Sequence, residues 1–104
     1  MRAIVATRFG GPEVLEEREV ERPQPGPGEL LVRVVAASAN PADAKLRANG
    51  QSMGLKAPVI LGADVSGVVE EVGPGVEEFS PGDEVYYTPE MFAPKANGAY
   101  ADYH

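Results

Sequence analysis

Residues 60–87 read ILGADVSGVVEEVGPGVEEFSPGDEVYY, and the way this stretch folds decides how the rest must be arranged. Its first part, Ala63 to Val72, is small and branched. Val65, Val68, Val69 and Val72 suit a pleated surface, because branching at the β-carbon restricts the rotamers a helix would need. Gly67 inside the run predicts a close backbone approach or a bend, since any side chain there would hold a neighbour away. Gly73-Pro74-Gly75 ends the run. A short connection, Val76 to Phe79, leads to a second turn, Ser80-Pro81-Gly82-Asp83. There Pro81 presets φ and Gly82 can take the positive φ of a type II turn. A short apolar strand, Glu84 to Tyr87, follows. The stretch predicts two strands joined by a long, punctuated connection.

Upstream, Ala3-Ile4-Val5-Ala6 predicts a strand closed by the turn Gly10-Gly11-Pro12. Val14 to Val20 is charged enough for a helix, but its length and its Pro and Gly flanks favour an edge strand guarded by Glu and Arg. Arg22 to Gly28, RPQPGPG, is extended, because its prolines fix φ and remove donors. It reads as a connection along the surface rather than a polyproline ligand for a partner domain. Leu30 to Ala37, LLVRVVAA, predicts a buried strand interrupted only by Arg33. One helix is expected near residues 41–49. Asn40 is a good N-cap, Pro41 fits the first helical position, Asp43 falls three residues after the cap, and Gly50 is a plausible stop. Gln51 to Pro58 is a loop with Met53 and Leu55 tucked beneath it. Thr88 to Asn97, with Pro89 and Pro94, is another loop. Met91 and Phe92 in its middle pack over the core or, less simply, line a substrate pocket. Gly98 to Tyr103, GAYADY, alternates well enough for a last strand.

One domain fits 104 residues. Thirteen valines against six leucines favour strands. The 12 glycines and 10 prolines are accounted for by many turns between short strands. A net charge of −7 argues against nucleic acid and against an anionic membrane surface as partners. With no cysteine, neither a disulfide framework nor a Cys-based zinc site can form. No apolar stretch approaches the roughly 18 residues of a membrane span, and MRAIVATRFGG lacks a signal-peptide core. A cytoplasmic protein is expected.

Chemistry has few places to sit. After Gly73-Pro74-Gly75, a G-x-G-x-x-G phosphate loop would need a glycine where Glu78 stands. The single histidine, His104, is the last residue, where no third group is expected to orient it as a base or a metal ligand. The adjacent acids Glu16-Glu17, Glu70-Glu71 and Glu77-Glu78 are expected to point to opposite faces and to be solvated. Two acids remain. Asp43, in the first helical turn, is either a cap or a functional carboxylate. Asp64, at the start of a buried-looking strand, is either a buried, satisfied acid that orders the turn or part of a site.

Several motifs, in order, carry a resemblance. Met1-Arg2-Ala3 with Phe9-Gly10-Gly11-Pro12, then Pro25-Gly26-Pro27-Gly28-Glu29-Leu30-Leu31-Val32, then Ala39-Asn40-Pro41-Ala42-Asp43 come first. Gly62-Ala63-Asp64-Val65-Ser66-Gly67-Val68-Val69 with Val72-Gly73 and Gly82-Asp83-Glu84-Val85, and finally Gly98-Ala99-Tyr100-Ala101-Asp102-Tyr103, complete the set. Together they resemble the N-terminal part of the medium-chain dehydrogenase/reductase superfamily, in particular its zinc-free quinone oxidoreductase branch. The resemblance implies a mainly β, GroES-like, partly open barrel over residues 1–104. It also implies that a nucleotide-binding Rossmann domain of roughly 150 residues is missing from this chain. NADP would bind through that domain, and the fragment alone would be inactive. In the zinc-dependent members a Cys ligand stands where Asn40 does and a His ligand where Ala63 does, so no zinc is expected. The implied reaction is reduction of quinones or activated alkenes by NADPH. The implied site residues are Asn40, Asp43 and Asp64, with Asn40 hydrogen-bonding substrate or cofactor and Asp64 ordering the loop. A small-molecule substrate and a homodimer of the whole protein are the implied partners. The alternative is a free-standing GroES-like binding or co-chaperone module, although the mobile glycine-rich loop of co-chaperonins has only a short counterpart here.

Overall fold

The stretch 60–87 folds as its residues dictate. In the computed structural model, which describes residues 1–92 and 97–104, it forms β5 and β6 of a chain ordered β1 (Arg2–Ala6), β2 (Leu15–Glu19), β3 (Leu30–Ala37), α1 (Pro41–Asn49), β4 (Val59–Ile60), β5 (Val65–Val72) and β6 (Glu84–Tyr87). Pro94 lies outside the described residues. Two antiparallel sheets result, one in the order β2-β1-β4 and the other β3-β5-β6. β2 is the edge strand that its charges predict. The fold is mainly β with one short helix, and the sheets do not close into a barrel.

Gly67 has the role expected of it. A β-carbon there would run into the Arg33 carbonyl oxygen and stand 2.7 Å from Val32 Cγ1, so β3 can lie this close only over a glycine. Gly82, at φ +97°, supplies the positive φ of the second turn.

β3 corrects the expectation of a wholly buried strand. Leu31 and Val32 are buried, but from Arg33 onward the strand is mostly exposed, and Val35 is 63% exposed. Two register shifts accompany this. Glu70 is skipped opposite Leu31 and Val32, and Val35 is skipped between Val34 and Ala36. The extra residue Glu70 lies on β5 and turns over that strand's alternation, whereas the extra residue on β3 is Val35, which bulges outward. The first shift also corrects the picture of Glu70 and Glu71 on opposite faces, because both come within 3.9 Å of Arg22. These exposed pairs contribute little energy. Arg22 is placed as much by stacking over Tyr103, 4.1 Å from the ring centroid.

The segment predicted as a last strand, Gly98 to Tyr103, makes no continuous ladder. It forms isolated bridges to both sheets, Ala101 to Ala3 and Tyr103 to Arg33. Ile4 N–H donates to Tyr100 O at 2.8 Å on one side, while Val34 N–H donates to Asp102 O at 2.9 Å on the other. The backbone is divided between two partners, so neither ladder can run on. Around it lie two apolar clusters. One joins Ala6, Val14, Leu46, Leu55, Val59, Leu61 and Met91, and the other joins Ala3, Val5 and Ile60. Tyr100 packs against both.

Three smaller expectations change. Gly50 is not the left-handed stop of α1; it stays right-handed (φ −59°) and leads into a 3-10 turn, Gly50–Met53, that ends at Gly54 with φ +97°. Gly50 is required for space, since a β-carbon there would stand 2.7 Å from the Phe9 ring. Met53 is 53% exposed, and only Leu55 is tucked in. Met91 is core and Phe92 is exposed, in line with the packing reading for the first and not for the second.

Because β3 has no room for a side chain at position 67, Gly67→Val is expected to destabilise the domain by about 1–3 kcal/mol. A urea denaturation midpoint unchanged from wild type would contradict this packing.

Candidate active site

The helix start builds the site. Pro41 opens α1, and Asn40 and Asp43 form the reciprocal pair of a capping box. Asp43 Oδ2 accepts the Asn40 backbone N–H at 2.9 Å. Asp43 is the buried charged residue of the described chain, at 6% exposure, and its Oδ1 has no protein partner. The same Oδ2 lies 3.0 Å from the Tyr100 hydroxyl, which also reaches the Ser38 carbonyl at 2.9 Å. One hydroxyl proton is therefore shared between two acceptors that flank Asn40.

Asp64 corrects its expectation. It is exposed, because Val65 takes the inward position at the start of β5. Its order comes from side chains instead. Asp64 Oδ2 accepts Asn40 Nδ2–H at 2.6 Å and Ser38 Oγ–H at 2.9 Å. The other Asn40 Nδ2 hydrogen is directed at Ser38 Oγ, 3.2 Å away. An amide nitrogen has two hydrogens, and both are engaged within the cluster. Asn40, Asp43 and Asp64 thus come together, as three residues of one polar cluster.

Sequence reasoning missed two members, Ser38 and Tyr100. Ser38 stood two residues before the cap with no pattern to mark it. Tyr100 stood in GAYADY, where alternation marked a strand position and nothing marked its hydroxyl.

His104 is also better oriented than expected. Its Nε2 lies 2.7 Å from the Asn97 carbonyl, which can only accept, so Nε2 carries the hydrogen of the neutral ring. Nδ1 then accepts from the Tyr87 hydroxyl at 2.7 Å. Among the described residues no nucleophile completes this pair, and both ring nitrogens are used.

Among the described residues no group of three or more His, Cys, Asp or Glu converges, and the methyl of Ala63 has no lone pair to offer a metal. Gly73 is packed against the Gly26 carbonyl and is 3.0 Å, measured from an added β-carbon, from Glu29 O. It serves close backbone packing rather than phosphate binding.

With this geometry in place, comparison with known proteins identifies the family. The sequence profile of the alcohol dehydrogenase GroES-like domain matches residues 26–103. The chain belongs to that family, within the medium-chain dehydrogenase/reductase superfamily. A quinone oxidoreductase of Lama guanicoe is 38% identical over 104 residues, which cover 99% of this chain and 30% of the relative. An Arabidopsis thaliana chloroplastic NADPH-dependent alkenal/one oxidoreductase is 38% identical over 108 residues, 99% of this chain and 28% of that protein. A mycobacterial structure solved in complex with NADPH superposes with a TM-score of 0.82 at 40% identity, over 99% of this chain and 30% of that one. The chain therefore spans about a third of the length of the proteins it matches. No helix among the described residues is long and apolar enough to cross a membrane.

Two tyrosines ionise reluctantly. Burial pushes Tyr87 up to about 12. Burial, then the hydrogen bond to Asp43 and the charges of Asp43 and Asp64, push Tyr100 up to about 12. In the unfolded chain both would titrate near 10. Between these values the folded state holds more protons than the unfolded state, so stability is full below pH 10 and falls as pH rises toward 12. Urea midpoints measured across this window should fall, and Tyr100→Phe should flatten the fall. A midpoint independent of pH there would contradict the assignment.

Proposed function

We propose that this chain is the substrate-side domain of an NADPH-dependent oxidoreductase that reduces quinones or activated alkenes without zinc. The observation that carries the reading is the Asn40–Asp64 pair. An amide oriented by a 2.6 Å hydrogen bond occupies the place that the resemblance gives to a zinc-binding cysteine. The likeness to a quinone oxidoreductase and to an NADPH-dependent alkenal/one oxidoreductase supports the substrate class. The family match also favours an enzyme over a co-chaperone.

In the whole protein, a Rossmann domain beyond residue 104 would hold the cofactor, and the 104 residues alone would be inert. NADPH supplies a hydride, which carries both electrons. A quinone that takes the hydride and one solvent proton becomes a hydroquinone, and NADP⁺ is left. In an activated alkene the hydride adds to the β-carbon, the double bond's electrons move toward the carbonyl oxygen, and a proton completes the α-carbon. In both cases negative charge grows on oxygen, and a placed N–H donor stabilises it. Asn40 can provide that donor by exchange. The substrate oxygen takes over the longer N–H contact, 3.2 Å to Ser38, while Asp64 keeps the other hydrogen and holds the amide plane. The same resemblance supports a homodimer of the whole protein.

The test is NADPH oxidation by the whole protein with a quinone acceptor in the presence of a metal chelator. Activity should persist, and Asn40→Ala should lower kcat by about a hundredfold, the scale of a lost oxyanion donor. Loss of activity to the chelator, or a wild-type rate in the variant, would contradict the proposal.

A further inference from the structure

Tyr100 comes from the far end of the chain, 57 residues after Asp43 and 62 after Ser38. Its ring and its hydroxyl do different things. The ring packs against both apolar clusters. It also lies tight on the backbone, since a β-carbon at Gly62 would stand 3.0 Å from Tyr100 Cδ1. The hydroxyl alone enters the polar cluster, where it bridges the Ser38 carbonyl and the Asp43 carboxylate. Asp43 is buried, and among the described residues one of its oxygens has no donor. A buried carboxylate in that state depends strongly on each donor it has. The two groups that Tyr100 joins stand on either side of Asn40, and Asp43 in turn holds the Asn40 backbone N–H.

We propose that Tyr100 is a positioning residue, whose hydroxyl clamps the Ser38–Asp43 turn and thereby aims the Asn40 amide for the reaction. The proposal rests on the reading of Asn40 given above. Tyr100 itself touches neither substrate nor cofactor in this role. It fixes the backbone from which Asn40 projects, and its hydroxyl is protonated through the neutral range, as any tyrosine's is.

Tyr100→Phe in the whole protein keeps the ring and removes only the clamp, and its thermal melt reports whether the packing survives. Hydrogen–deuterium exchange of the peptide covering residues 36–47 reads the clamp directly. Exchange there should quicken by about tenfold, as expected when a charge-assisted hydrogen bond is lost, while β1 and β5 keep wild-type protection. The kinetic counterpart is a kcat lowered by about tenfold with the KM for NADPH changed by no more than about twofold, since the Rossmann domain would carry most of the cofactor's binding. Exchange at the wild-type rate, or a wild-type kcat, overturns the proposal. Should the wild-type protein reduce neither quinones nor enones, the proposed function fails on that result alone. The exchange of residues 36–47 then decides by itself whether Tyr100 holds the turn.

Discussion

The structure depends on one shared segment of backbone. Residues 98–104 bond to β1 on one side and to β3 on the other, and they also reach the turn after β4. Gly98 N–H donates to Ile60 O at 2.7 Å, Tyr100 N–H to Leu61 O at 3.0 Å, and His104 exchanges two bonds with Val32 at 2.8 and 2.9 Å. Each sheet has only three strands, and β4 is just two residues long. The segment makes them one body. Its approach requires Gly62 and Gly98, whose missing side chains leave room for backbone to meet backbone. Gly62 also takes φ +118°, which other residues rarely adopt.

The polar cluster inherits its geometry from that crossing. As the segment passes between the sheets it delivers the Tyr100 ring to the core and the Tyr100 hydroxyl to the start of α1. The helix is short, buries Asp43 and Leu46, and could not hold its own first turn in place. Asp43 therefore works at the junction of capping and tertiary structure. It closes the capping box and receives the clamp from the other end of the chain. Asp64 does the corresponding work in the open, where it fixes Asn40 through the side chain rather than the backbone.

Most of the framework was legible because local physics fixed it. Branched residues gave β5, Pro41 and Asp43 gave α1, Gly67 gave the close approach of β3, and Gly82 gave the turn into β6. Asn40, Asp43 and Asp64 were singled out from the sequence, and they do share one cluster. What was illegible had non-local causes. Val35 is exposed because of a register shift, which depends on the partner strand and not on the run LLVRVVAA. Asp64 is exposed because β5 begins with Val65 inward, a matter of strand phase. Tyr100 belongs to the site only through contacts across 57 and 62 residues of chain, and Ser38 meets Asp64 across 26. The orientation of His104 likewise comes from Tyr87 and Asn97, groups that no spacing rule connects to it.

Family membership accounts for the fold, and the geometry gathers Ser38, Asp43, Asp64 and Tyr100 around the Asn40 amide. The account turns on where that amide points when the cofactor is bound. The most direct measurement is a crystal structure of the whole protein with NADPH and a slowly reduced quinone analogue. The account predicts the Asn40 side chain within hydrogen-bond distance of the analogue's oxygen, Asp64 still holding the other amide hydrogen, and no metal between them. An Asn40 amide turned away from both ligands, or a metal ion bridging protein and substrate oxygen, would contradict it.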